Sequence, residues 1–157
     1  MMEVSGCWFE TPLGPMTVMA TDEAVTAVRF GTSGDAVAPE EKLPPILARA
    51  VGELREYFAG VRRDFTLPLA PAGTVFQQQV WAALREIPYG ETCTYGQIAA
   101  RIGRPKACRA VGMANNRNPI AIVVPCHRVV GSSGALTGYA AGLPVKEALL
   151  RLEAEAR

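Results

Sequence analysis

The chain has a single histidine in 157 residues, and that histidine directly follows one of only four cysteines. One imidazole cannot build a histidine-rich metal centre. No CxxC pair exists, so a zinc site would need nearly every soft ligand in the chain; no metal and no cofactor are expected. No apolar stretch approaches the roughly 18 residues of a membrane span. The opening MMEVSGCWFETPLG lacks the basic start and apolar core of a secretory leader. No membrane partner and a cytoplasmic setting with reduced thiols follow as expectations, despite the even cysteine count.

Acidic residues are missing from one place. Residues 92–146 carry seven bases (Arg101, Arg104, Lys106, Arg109, Arg117, Arg128 and Lys146) and no Asp or Glu. The 91 residues before them carry twelve acids and seven bases. The net charge of +1 decides nothing about partners, but this distribution marks a phosphate-binding face. The alternative is chance clustering of bases on a solvated surface.

Apolar residues make up 49% and charged residues 20%, the balance of a soluble globular chain with a sizeable core. The length fits one domain or two small lobes. Pro68-Leu69-Ala70-Pro71-Ala72-Gly73 divides an N-terminal α/β scaffold lobe, 1–70, from a second lobe, 74–157. In the first, Cys7–Glu10, Met16–Ala20 and Ala24–Phe30 are β-leaning runs separated by turns, which predicts a small antiparallel sheet. Gly31 to Pro45 reads as a loop. Ile46, Leu47, Ala50, Val51, Leu54, Tyr57 and Phe58 fall at helical spacing, and Gly60 can end that helix. Phe65, Leu67 and Leu69 alternate like one more strand. Trp8 and Tyr57 are expected as core or semi-core aromatics, and nothing in this lobe looks chemical.

The second lobe turns helical, giving an α+β fold overall. Thr74 is a plausible N-cap, with Phe76, Val80, Ala83, Leu84 and Ile87 on one face and Trp81 alongside. A helix-turn-helix candidate follows: Tyr95–Ile102, a Gly103-Arg104-Pro105 turn, and Lys106–Asn116. The second helix is built from small residues, Ala107, Ala110, Gly112 and Ala114, with Lys106 and Arg109 projecting. Small side chains let its backbone approach a groove wall, and a long Arg can enter an opened base stack. That suits the minor groove better than side-chain readout in the major groove. The competing explanation is that the small residues pack against another helix, as some must.

Asn118-Pro119 forces a turn, because the residue before proline is pushed out of the α region. The amide of Asn118 could fix that turn by bonding backbone. The apolar run Ile120–Val124 then delivers Pro125-Cys126-His127-Arg128-Val129-Val130. A thiol is a nucleophile as its thiolate, which a neighbouring base or positive charge promotes. A core cysteine beside a surface histidine would read the same way from the pair alone. The Gly- and Ser-rich segment Gly131–Gly142, which includes Gly138, Tyr139 and Ala140, could wall a flat pocket or be an idle solvent loop. In the last helix, from about Pro144, Val145, Leu149, Leu152 and Ala156 face inward with Lys146 and Ala148 flanking. Glu153 falls at the edge of that face, where a carboxylate usually has a partner. His127 is the natural candidate, giving a Cys-His-carboxylate set; a surface Arg is the alternative.

These residues carry a resemblance. Asn118-Pro119-Ile120 through Pro125-Cys126-His127-Arg128-Val129, then Gly138-Tyr139, Lys146-Glu147 and Leu149-Leu150, is similar to the O6-alkylguanine-DNA alkyltransferases of bacterial type, as is the Tyr95 hairpin with Arg109-Ala110-Val111-Gly112. The match covers about residues 74–153. It implies direct-reversal repair of duplex DNA entered from the minor groove: a guanine alkylated at O6 (with O4-alkylthymine an open second lesion) is flipped into a pocket, and Cys126 takes the alkyl group irreversibly, once per molecule. The same resemblance implies that His127 takes the thiol proton through a water and Glu153 orients it. Tyr95 donates toward the departing base, Arg109 fills the gap in the stack, Asn118 braces the turn, and Tyr139 walls the pocket. Lys106, Ala107, Ala110, Gly112 and Arg128 are expected on the DNA side and Ala140, Val129 and Gly138 at the pocket; a monomer is the default expectation, with cooperative binding along DNA left open.

Two departures stand out. Ala141 occupies a position where bacterial relatives usually carry Gly, which bears on the alkyl size tolerated. The zinc ligands of some animal relatives are unmatched, since Cys7 stands without partners. Three rival functions share parts of the pattern, one of them a turning-over cysteine hydrolase, which would explain Cys126 and His127 but not the acid-free basic region. A non-catalytic alkylation-damage binder would have the scaffold without the acceptor cysteine, and a helix-turn-helix regulator would have no use for Pro-Cys-His-Arg or Glu153.

Overall fold

The strands of the first lobe form because apolar residues alternate around a tight, side-chain-stitched turn. In this computed structural model, which describes residues 3–32, 34 and 42–156, β1 (Ser5–Thr11) and β2 (Gly14–Ala20) pair antiparallel with Cys7 opposite Val18 and Phe9 opposite Met16. Thr11 closes the hairpin: its Oγ1 donates to Gly14 O at 2.6 Å and accepts from Leu13 N at 3.1 Å. Gly14 takes φ +98°, which a side chain would resist. β3 (Val25–Phe30) adds to the other edge of β2. Cys7, Phe9, Met16, Val18, Val25 and Val28 are buried. Trp8 is not: alternation turns it to the opposite face from Cys7 and Phe9, and it is 45% exposed, correcting its expected place in the core.

The helix α1 (Pro45–Phe58) lays Ile46, Leu47, Ala50, Val51, Leu54 and Tyr57 against this sheet, and the chain leaves it through Gly60 at φ +78°. The strand expected at 65–69 shrinks to one bridge. Val25 N bonds Pro68 O and Ala70 N bonds Val25 O, both at 2.9 Å, but Pro68 and Pro71 have no N–H to extend the ladder. The outer edge of β3 is covered further along by Ile120, where Val28 N meets Pro119 O at 2.9 Å. The loop expected from Gly31 to Pro45 lies largely outside the described residues.

By its internal contacts the chain forms two compact units, Met1–Ala72 with Pro119–Ala121, and Gly73–Asn118 with Ile122–Arg157. The second unit starts on α2 (Val75–Leu84), whose N-cap Thr74 forms a reciprocal capping box with Gln77. Gly73 is required just before it: a Cβ there would lie 2.4 Å from the Trp81 ring. Trp81 is buried and its Nε1 donates to Ala114 O at 2.8 Å.

The short strand β4 (Cys93–Thr94) runs directly into α3 (Tyr95–Arg101), again with a Thr–Gln capping box, Thr94 with Gln97. The second helix of the hairpin, α4 (Cys108–Asn116), begins two residues later than its spacing predicts. Pro105 sits inside a reverse turn closed by Ala107 N on Arg104 O at 2.9 Å, so Lys106 and Ala107 precede the helix instead of opening it. Val111, Ala114 and Asn115 face inward, against α2 and α3.

After Asn118 the chain turns sharply. Ile122, buried and β-branched, has φ +70°, the only non-glycine with positive φ among the described residues. The run Ile120–Val124 is therefore bent rather than extended, and it feeds a 3-10 turn at Cys126–Arg128. β5 (Val129–Val130) pairs parallel with β4, Cys93 beside Val129 and Thr94 beside Val130. α5 (Leu143–Glu155) ends the unit. Among the described residues no helix is long and apolar enough to cross a membrane.

Candidate active site

The site is assembled within the second unit from Asn118 and the 122–130 segment, the 137–142 loop and α5, with Asn115 of α4 and the 87–90 turn bonded to them. Strand β5 follows the Cys126 turn immediately and is bonded to β4, which runs straight into α3. The thiol segment and the helix-turn-helix thus share one backbone ladder.

Cys126 is buried, at the start of the 3-10 turn. Two asparagines hold the backbone around it. Asn118 Nδ2 donates to Val124 O at 2.8 Å, as its position before proline suggested, and Asn115 Nδ2 donates to Cys126 O at 3.3 Å. Burial pushes the thiol pKa up, against the pull of Asn118, Tyr139 and the positive charge of Lys146. The resting group is therefore a thiol, and reaction needs its proton removed. The hydroxyl of Tyr139 is buried; the thiol is its interacting neighbour, and burial together with that neighbour raises the phenol's pKa.

The basic partner is oriented by a fully buried triad. His127 Nε2 lies 2.6 Å from Glu153 Oε2, with both side chains completely buried. Arg128 closes the other side: Nε donates to Glu153 Oε1 at 2.8 Å, Nη2 to Oε2 at 3.1 Å, and Nη1 to Ile87 O at 2.7 Å. Gly90 N also donates to Glu153 Oε1, at 3.1 Å. Burial alone would raise the Glu153 pKa, but His127 and Arg128 hold the carboxyl well below the usual carboxylate range. Burial lowers the pKa of His127 despite Glu153, so the ring is neutral at neutral pH. With Nε2–H given to an ionised carboxylate, Nδ1 carries the lone pair. Nδ1 is buried and has no hydrogen-bond partner among the described residues.

Arg128 corrects an expectation. It is only 6% exposed and its donors are spent on Glu153 and Ile87, so it is not part of a basic surface. Glu153 has both partners that the sequence offered as alternatives, a histidine and an arginine, although the arginine is not on the surface. Val129 is fully buried in β5, and Ala140 and Gly138 are exposed on the loop. Ala141 is not in left-handed backbone, so this position does not require glycine for its φ.

Tyr95 meets the pocket loop and not the thiol. Its hydroxyl donates to Thr137 O and accepts from Thr137 Oγ1, both at 3.2 Å. A Cβ on Gly112 would stand 3.8 Å from the Tyr95 ring, an ordinary contact, so Gly112 flanks this tyrosine. Lys106, Arg109 and Ala110 are exposed; Ala107 is half-buried.

Lys146 is the residue that sequence reasoning undervalued. It is completely buried, and its Nζ donates to Thr137 O at 2.7 Å and to Gly138 O at 3.4 Å. Lysine is normally solvated, so its residue type alone points to the flank of the buried face. The signal available was spacing: Lys146, Leu149 and Glu153 are i, i+3 and i+7, one stripe of α5, and these three are its buried residues. Asn115 was missed for a similar reason, as one of a polar pair at a helix end.

No group of three or more acidic, histidine or cysteine side chains able to hold a metal is found among the described residues.

A buried thiol beside an oriented imidazole, on a unit carrying a helix-turn-helix, defines the class as a cysteine-dependent protein built on a DNA-binding fold. Residues 75–155 match the 6-O-methylguanine DNA methyltransferase DNA binding domain, and residues 8–71 match the ribonuclease-like domain of the same family. A methylated-DNA–protein-cysteine methyltransferase of Methanosarcina acetivorans is 53% identical over 148 residues, 92% of this chain and 95% of the relative. The constitutive enzyme of that name from Bacillus subtilis is 49% identical, covering 92% of each chain. The crystal structure of Mycobacterium tuberculosis OGT in complex with DNA superposes with a TM-score of 0.88 at 47% identity, covering 97% of this chain and 94% of that one. The chain belongs to the 6-O-methylguanine DNA methyltransferase family.

Proposed function

We propose that this protein repairs duplex DNA by moving the alkyl group of O6-alkylguanine onto Cys126, once per molecule. The observation that carries this reading is the commitment of His127 Nε2 to Glu153, which leaves Nδ1 as the imidazole's only acceptor in a site with a buried thiol. The Cys126 proton passes through a water to Nδ1, and Glu153 stabilises the imidazolium that results. The thiolate sulfur attacks the alkyl carbon in line, a C–S bond forms, and the bond from that carbon to O6 breaks. Guanine leaves with the electron pair, and Tyr95 supplies a proton toward the base, recovered from solvent. The thioether cannot revert, so no turnover follows.

Access to the base requires extrusion from the stack, which costs a few kcal/mol, least for a damaged base that pairs badly. Exposed Arg109 on α4 fills the gap, with Lys106, Ala107, Ala110 and Gly112 toward the minor groove and Tyr139 and the 138–140 backbone at the pocket. All of these groups belong to one chain, which fits action as a monomer. The four cysteines are free, which fits a reducing, cytoplasmic setting. The damage-binding alternative has no use for the Cys126–His127–Glu153 arrangement.

The test is intact mass followed by peptide mapping after mixing with excess duplex that carries one O6-methylguanine. One added methyl per protein, on the Cys126 peptide, is the expected result. Unmodified protein that still binds the lesion would show a damage binder instead.

Lys146 enters this mechanism as a positioning residue. It holds the loop backbone at Thr137 and Gly138, and its charge pulls the thiol pKa down. Lys146→Met should therefore shift the rising limb of the single-turnover rate to more alkaline pH, because the thiol loses the positive charge that lowers its pKa. A uniform fall in rate with no shift of the limb would assign the lysine to loop structure alone. Lys146→Arg should restore part of the shift.

A further inference from the structure

The outward face of α4 carries one large apolar side chain, Met113, which is 62% exposed. Single exposed methionines are common on protein surfaces and usually mean little. This one occupies a particular place. With Val111, Ala114 and Asn115 buried on one side of the helix, the centre of the opposite face is the stripe Arg109, Met113, Asn116, at i, i+4 and i+7. The far end of that stripe reaches the pocket loop: a Cβ placed on Gly138 would lie 3.5 Å from Asn116 Nδ2. Met113 therefore lies midway between the arginine that enters the stack and the loop at the mouth of the pocket. The remaining outward residues of the helix, Cys108, Ala110 and Gly112, are small and cannot reach as far.

We propose that Met113 is a DNA-contact residue whose thioether packs on the deoxyribose and base edge beside the extruded nucleotide. The inference rests on the function proposed above and extends it to this chain's own side chain. Methionine suits the task because it is unbranched and adapts to an irregular apolar wall. Apolar wedges of this kind are a recurring means of holding a distorted minor groove. A contact of this type adds affinity for opened lesion duplex without neutralising phosphate, so it should leave the salt dependence untouched.

The experiment compares wild type, Met113→Ala, Met113→Gln and Met113→Leu. It measures equilibrium binding to an O6-methylguanine duplex across a salt series, and the rate of methyl transfer from that duplex and from free O6-methylguanine base. Met113→Ala and Met113→Gln should bind the lesion duplex roughly three- to tenfold more weakly with an unchanged salt slope. Met113→Leu should stay close to wild type, and transfer from the free base should be the same in all four. Wild-type affinity in Met113→Ala, a changed salt slope, or a parallel loss with the free base would each overturn the contact. Wild type that neither binds nor reacts with the lesion duplex would overturn the proposed function and this inference with it, whereas active wild type with indifferent variants would overturn the inference alone.

Discussion

Cys126→Ser should abolish methyl transfer while leaving affinity for lesion duplex within roughly twofold of wild type. The two effects separate because the residue is buried in the 3-10 turn whereas the basic, small-residue face of α4 is exposed. A serine hydroxyl at this position keeps the shape, and the bonds that Asn115 and Asn118 give to the carbonyls of Cys126 and Val124 do not depend on the sulfur. What it loses is a sulfur that can be deprotonated by an imidazole and attack saturated carbon. Binding is read by anisotropy and transfer by loss of the labelled methyl from DNA. Retained transfer would remove Cys126 from its assigned role, and loss of both activities would show that the substitution had damaged the unit.

Glu153→Gln is expected to be among the most destabilising single changes in the second unit. Glu153 is completely buried and receives His127, Nε and Nη2 of Arg128 and the Gly90 amide. Neutralising it leaves the Arg128 guanidinium, 6% exposed, without its counter-charge. Breaking a buried ion pair from one side costs about 3–5 kcal/mol. Urea unfolding midpoints check this, and a loss below about 1 kcal/mol would show that solvent relieves the arginine.

The same triad fixes the direction of the pH response. Glu153 is held below its ordinary range, so its stabilisation is complete at neutral pH and drains away as acid titrates it. His127 is also depressed, by burial, so the unfolded chain binds its proton first and stability begins to fall once pH drops below the ordinary histidine range. Wild type should lose stability progressively on the acid side from there, and Glu153→Gln should lose less over the carboxylate part of that range. Transfer activity should fall with Glu153→Gln as well, since the imidazole loses the group that fixes its tautomer.

Much of this was legible in the chain, and the parts that were not share a cause. Local signals placed the hairpin of β1 and β2, the capping threonine Thr74, and the turn at Asn118, because turn and cap chemistry acts over a few residues. Helical arithmetic on α5 brought Glu153 toward His127. The strand at 65–69 failed because alternation says nothing about whether Pro68 and Pro71 can donate to a ladder. Trp8 was misplaced because aromatic character does not say which face of a strand it takes. Lys146 and Arg128 were read as surface bases because their composition class is solvated in most proteins. Here each is buried, one on loop carbonyls and the other on Glu153.

The sequence by itself determined the two-lobed α+β plan, the acid-free segment and the Cys126-His127 pair, since these depend on composition, periodicity and short-range geometry. Only the tertiary structure decided that the Cys126 thiol rests protonated and that His127 offers Nδ1. It also removed Arg128 from the DNA side and placed Lys146 at the pocket loop. Those are matters of burial and of partners on other segments of the chain, and a desolvated charge takes its role from whichever group folding places beside it.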